Sequence, residues 1–88
     1  MTVSYNRTFK KDLEKLKDAG TKAAIRKKIL ELKEKKDLNQ VSGVKKISGH
    51  PLACRIRIGN YRLRLFYSDG NASLQRFVKR NDIYKVFP

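Results

Sequence analysis

Apolar positions in the first third of the chain recur at helical intervals. Phe9, Leu13 and Leu16 share one helix face, and Gly20 reads as its stop. Thr21 then caps a second helix with the stripe Ile25, Ile29 and Leu32, ending near Asp37. Only a few residues separate the two, which predicts an antiparallel helix hairpin. Ahead of it, Thr2–Tyr5 reads as a short strand. The second half of the chain has the other period. Ala53–Ile58 and Tyr61–Tyr67 alternate around Gly59-Asn60, and Ala72–Lys79 follows the turn sequence Ser68-Asp69-Gly70-Asn71. Residues 38–51 contain Gly43, Gly49 and Pro51 and read as a connector anchored by Val41, Val44 and Ile47. The tail, residues 81–88, predicts a final helical turn docked by Ile83, Val86 and Phe87. This order predicts an α+β fold. An N-terminal strand and a helix hairpin pack on one face of a small, antiparallel-rich sheet, in one domain over residues 1–88.

Register follows from the turns. A two-residue turn at Gly59-Asn60 sets Ile58 opposite Tyr61, Arg57 opposite Arg62 and Arg55 opposite Arg64. Side chains alternate along a strand, so Ile56, Ile58, Tyr61, Leu63 and Leu65 face the helices and the four arginines share the open face. For the last strand there are two possibilities. A two-residue Asp69-Gly70 turn sets Arg76 beside Leu63 on the core face. A three-residue turn that includes Asn71 sets Arg76 opposite Arg64 and Phe77 opposite Leu63. The second is expected, because burying an unpaired arginine is costly.

Charge then changes the picture. The 88 residues carry a net charge of +14. Ten of fourteen lysines lie in residues 1–37 among six of the eight acids, the composition of a solvated helix face. Six of eight arginines lie between Arg55 and Arg80, where Asp69 is the one acid. Like charges opposite one another destabilise a sheet. Arginines held this way imply an anion, and a nucleic-acid backbone is the large anion they suit best, since the guanidinium fork binds phosphate bidentately.

Other classes recede. A hydrophobic content of 40% supports a folded core despite 34% charged residues. There is no long apolar run, and the basic stretch alternates like a sheet rather than an amphipathic helix, so no membrane partner is expected. The opening Met-Thr-Val-Ser-Tyr lacks a signal-peptide core, and the lone Cys54 cannot form an internal disulfide, which fits the cytoplasm. Without a Cys/His cluster, a carboxylate pair or a Gly-rich phosphate loop, no metal and no cofactor are expected. His50 is the sole histidine and a tempting general base, but it precedes Pro51 in the connector and reads as a linker residue.

Arg55-Ile-Arg57, Gly59-Asn-Tyr-Arg62 and Val78-Lys-Arg80-Asn-Asp-Ile-Tyr84 resemble, in this order, the basic-x-basic, G-x-Y-R and K/H-R-x-D-x-Y pattern of the RelE/ParE toxin superfamily. The resemblance covers nearly the whole chain. It implies the toxin of a type II toxin–antitoxin system: a ribosome-dependent endoribonuclease (mRNA interferase) that cuts mRNA in the ribosomal A site, inhibits translation and assembles with a cognate antitoxin. The implied reaction is attack of the 2′-hydroxyl on the adjacent phosphate. Arg55 and Arg57 match the basic pair that holds phosphate charge, Arg62 the transition-state stabiliser, Arg80 the leaving-group donor, and Tyr84 the residue that stacks on the cleaved base. Arg64, Arg76 and Lys79 are expected to bind RNA. The plainer readings are a surface pair of Arg80 with Asp82 and a Tyr84 packed on the sheet. The competing functions are a ParE-like gyrase poison without nuclease activity and a non-enzymatic nucleic-acid-binding module. The Arg80…Tyr84 element favours RelE.

Overall fold

In a computed structural model of the chain, residues 1–86 are described; Phe87, expected to dock the tail, lies outside them. The chain runs β1 (Thr2–Tyr5), α1 (Arg7–Glu14), α2 (Ala19–Glu34), a 3₁₀ turn (Leu38–Gln40), β2 (Val44–Lys46), β3 (Ala53–Ile58), β4 (Tyr61–Ser68), β5 (Asn71–Lys79) and α3 (Arg80–Val86). The strands form one sheet in the order β1-β5-β4-β3-β2, with β1 parallel to β5 and every other pair antiparallel. The expected α+β architecture is present.

Capping fixes where the helices begin. The Asn6 side chain accepts the Phe9 N–H at 2.7 Å and starts α1. Asp18, rather than Thr21, caps α2: its carboxylate accepts both the N–H and the hydroxyl of Thr21. The expected stop at Gly20 is therefore corrected, since Gly20 lies inside the first turn of α2. The two hydrogen bonds from Thr21 also hold the Asp18 carboxyl below its ordinary pKa. α1 lies against β5, and α2 against β1 and β3. An apolar groove of about 350 Å³ runs between the helices, floored by Leu13, Leu16, Ile25 and Ile29.

Phe9, Leu32, Ile56, Leu63, Leu65, Leu74 and Phe77 fill the core between helices and sheet. Tyr61 stacks on Phe77 on this side, as parity requires. The hairpin register is as expected, with Ile58↔Tyr61, Arg57↔Arg62 and Arg55↔Arg64. Gly59 at φ +56° is the only central turn residue with positive φ, the signature of a II′ turn.

The last strand reaches the expected pairing by another route. Arg76 lies opposite Arg64 and Phe77 opposite Leu63, yet the turn is the two-residue Asp69-Gly70, with Ser68 opposite Asn71. Both turn residues have positive φ, 50° and 75°, as a I′ turn needs. A bulge between Arg64 and Leu65 supplies the missing shift: Leu65 faces Leu74 while Arg64 faces Arg76, leaving Gln75 as the extra residue. The connector also departs from expectation, because it contains the 3₁₀ turn and the edge strand β2. Among the described residues, no helix is long and apolar enough to cross a membrane.

Candidate nucleic-acid interface

The arginine-bearing face is built by the II′ hairpin and closed by α3. Arg55 and Arg57 on β3 are exposed, as their alternation with buried Cys54, Ile56 and Ile58 dictates. Lys45 of β2 lies opposite Arg55, and with Arg57, Arg62 and Gly43 these residues line a groove of about 250 Å³. Arg62 is held in place: its Nη1 donates to the carbonyls of Gly59 and Tyr61, each at 2.9 Å. The turn carbonyls thus orient one end of the fork and leave the rest towards the groove.

α3 starts on the same turn. The Arg80 N–H donates to the Asn60 carbonyl at 3.0 Å, and Ile83 is buried beneath the helix. Arg80 and Tyr84, four residues apart, share one face of α3. Tyr84 is 71% exposed, so the plainer reading of a sheet-packed ring does not hold. Among the described residues no ion pair joins Arg80 to Asp82.

Electrostatics show that these groups converge. Partial burial, then the charges of Arg57, Arg80 and Arg55, push the Arg62 guanidinium below its ordinary pKa, with the Tyr84 phenol acting in the opposite sense. Burial, then Arg55 and Arg62, push Arg64 the same way, again opposed by Tyr84. Arg62 thus lies within electrostatic reach of Arg55, Arg57, Arg80 and Tyr84, and Arg64 within reach of Arg55, Arg62 and Tyr84; no carboxylate is among them. The arrangement can hold several phosphate oxygens and place an aromatic ring beside them.

Three expectations need adjustment. Arg64 is not on the open surface: it is 6% exposed, and its Nη1 has no hydrogen-bond partner. Arg76 is not brought to the group. Its Nε and Nη2 donate to the Asp12 carboxylate at 2.8 and 3.0 Å, and the same carboxylate accepts the Phe77 N–H at 2.9 Å. Lys79 pairs with Tyr61, which places it on the helix side, in a groove with Lys15 and Asp82. His50 stacks on Phe66 at 5.0 Å and its Nδ1 accepts the Leu52 N–H; it is not among the groups acting on Arg62 or Arg64.

Two residues had been missed. Lys45 was hidden because a three-residue strand is too short to show alternation, and the valine-isoleucine anchors around it recur every third residue. Asp12 had a readable signal: it falls three residues after Phe9 and four before Leu16, on the buried stripe of α1.

One face of this layered α+β fold is given to clustered cations, with no carboxylate among the groups acting on Arg62 or Arg64. The comparisons narrow this. No protein-family model matches the chain. It is 33% identical over 89 residues to the curated protein Toxin RelE3 of Methanocaldococcus jannaschii, covering 100% of both. Its fold is similar to the toxin in the RelB-RelE antitoxin-toxin complex from Methanococcus jannaschii (TM-score 0.83, 30% identity, 97% of this chain and 99% of that one). It is also similar in fold to the isolated E. coli RelE toxin, at a TM-score of 0.70 and 20% identity over 96% of this chain and 90% of that one. The chain belongs to the RelE toxin family.

Proposed function

We propose that the protein is the toxin of a type II toxin–antitoxin pair and acts as an endoribonuclease that cuts mRNA in the A site of the ribosome. The observation that carries this reading is the meeting of Arg55, Arg57, Arg62, Arg64 and Arg80 with the exposed Tyr84 on one face. In the proposed reaction a 2′-hydroxyl of the message attacks the adjacent phosphorus and the 5′-oxygen leaves. Negative charge grows on the phosphoryl oxygens, and a rigid cluster of guanidiniums stabilises that charge without having to reorganise. Arg62, pinned by the turn carbonyls, is placed for this role, with Arg55 and Arg57 beside it. Arg80 serves the leaving oxygen, and Tyr84 stacks on the neighbouring base. A phenol and a guanidinium both exchange protons poorly at neutral pH, so electrostatic stabilisation carries more of the rate than proton transfer. No residue is assigned to a metal or cofactor.

The proposed antitoxin inhibits by covering this face or displacing α3. An acidic, amphipathic segment suits both the cation-lined face and the apolar groove between α1 and α2, which Lys22, Arg26 and Lys33 rim. Primer extension on translated mRNA tests the reading. Cuts at A-site positions are expected from the native chain, and Arg62→Ala should reduce them about 10²- to 10³-fold, the cost of losing one preorganised charge donor. Tyr84→Phe should reduce them less. Cutting that survives both substitutions removes the assigned site. DNA breaks dependent on gyrase, with translation intact, establish the ParE-like alternative instead.

A further inference from the structure

We propose that Arg64 forms the floor of an oxyanion site that grips one phosphate oxygen from beneath and takes up simple phosphate without a ribosome. The proposal rests on the reading that this face meets RNA phosphate, and it adds how Arg64 takes part and the ligand class that binds there alone.

Arg64 differs in kind from its neighbours. Arg55 and Arg57 stand in solvent, where a charge needs no partner. Arg64 is buried, with Nη1 unpartnered, in the middle of a five-stranded sheet. Burying a guanidinium is costly unless it is paired and hydrogen-bonded, and native folds rarely leave such a nitrogen unanswered. Among the described residues, no side chain supplies the answer. The groups that act electrostatically on Arg64 are Arg55, Arg62 and Tyr84, none of them a carboxylate. Its register partner Arg76 is committed to Asp12. The adjacent positions on β4, Leu63 and Leu65, are fully buried in the core, so a partner can arrive only from the arginine face.

That partner must be anionic, must accept a directed N–H, and must satisfy Arg55 and Arg62 at the same time. A tetrahedral oxyanion does all three: with a small shift of the Arg64 side chain, one oxygen meets Nη1 and the others meet the two flanking forks. The crowding is also functional. Three like charges held together without an acid weaken the empty fold and are relieved when the anion enters, so ligand binding and stability are linked.

Thermal unfolding at constant ionic strength tests this, with chloride, acetate or inorganic phosphate as the varied anion, on the native chain, Arg64→Leu and Arg64→Lys. The native protein should be stabilised by phosphate beyond chloride and acetate. Arg64→Leu should melt higher than the native chain in chloride, because a buried, unanswered cation is gone. It should also bind phosphate about tenfold or more weakly, the loss of a charge-assisted hydrogen bond. Arg64→Lys, which keeps the charge without the fork, should fall between. A 3′-phosphorylated RNA dinucleotide should displace the phosphate. An Arg64→Leu protein that melts lower or fails to fold, while Arg64→Lys keeps the full phosphate response, makes Arg64 a packing residue and overturns the proposal. Acetate as effective as phosphate overturns it in favour of a carboxylate from a protein partner. A dinucleotide that does not displace phosphate breaks the link with RNA. No ribosome is present, so an absence of A-site cutting with an intact, Arg64-dependent phosphate response rejects the nuclease reading alone.

Discussion

Arg64 and Arg76 face each other across β4 and β5, yet the fold treats them in opposite ways. Arg76 reaches the outer edge of β5, beyond the stretch that β1 covers, and meets a buried carboxylate in a two-pronged contact. Asp12 also accepts the Phe77 N–H, a donor on that same uncovered edge. This is a structural arginine: one acid ties α1 to the sheet and satisfies three donors. Arg64 is more deeply buried and, among the described residues, has no acid partner. Among the described residues, an acid stands where Arg76 joins α1 to the sheet, and none stands beside Arg64, where Arg55 and Arg62 act instead. Whether a buried arginine is answered from within is therefore a better guide to its role than its burial.

Three changes probe that contrast. The largest effect is expected from Asp12→Ala, which strands Arg76 and the Phe77 N–H together. Urea unfolding should show a loss of about 3 kcal/mol, the range for breaking a buried ion pair from one side. A loss below about 1 kcal/mol means that the Arg76 contact behaves like a surface pair. Next, Arg76→Lys keeps the charge but gives up the fork; about 1 kcal/mol should go, read in the same assay. The smallest effect belongs to the unanswered side. Arg57→Gln removes one exposed member of the like-charged group and should raise stability by about 0.5 kcal/mol at low salt. The gain should shrink as sodium chloride approaches about 1 M, where screening acts over roughly 3 Å. If the gain does not depend on salt, charge repulsion is not its source.

Much of this arrangement was legible before any coordinates. Gly59-Asn60 between alternating runs specifies Arg57 opposite Arg62 and Arg55 opposite Arg64, because a two-residue turn leaves one register. The expectation for β5 reached the right pairing from a wrong premise. A bulge, not a longer turn, makes the shift, and nothing local in Leu74-Gln75-Arg76 announces an unpaired residue. Alternation set Arg64 on the open face, yet the fold buries it there. Asp12 was readable from its place on the α1 stripe but was grouped with the solvated acids around it. The start of α2 shows that a stronger cap can outbid a plausible one: Asp18 takes the N–H of Thr21, and Gly20 is absorbed into the helix. The site was visible as a cluster of residue types, while the commitment of Arg76 and the placing of Lys79 depend on the far side of the sheet.

The parallel pairing of β1 with β5 joins Thr2–Tyr5 to Asn71–Leu74, almost the full length of the chain. A nascent polypeptide leaving the exit tunnel must keep its first strand waiting until nearly everything else has emerged, and α3, with Arg80 and Tyr84, comes later still. A chain translated no further than β5 therefore still lacks Arg80 and Tyr84, and its cationic face is incomplete.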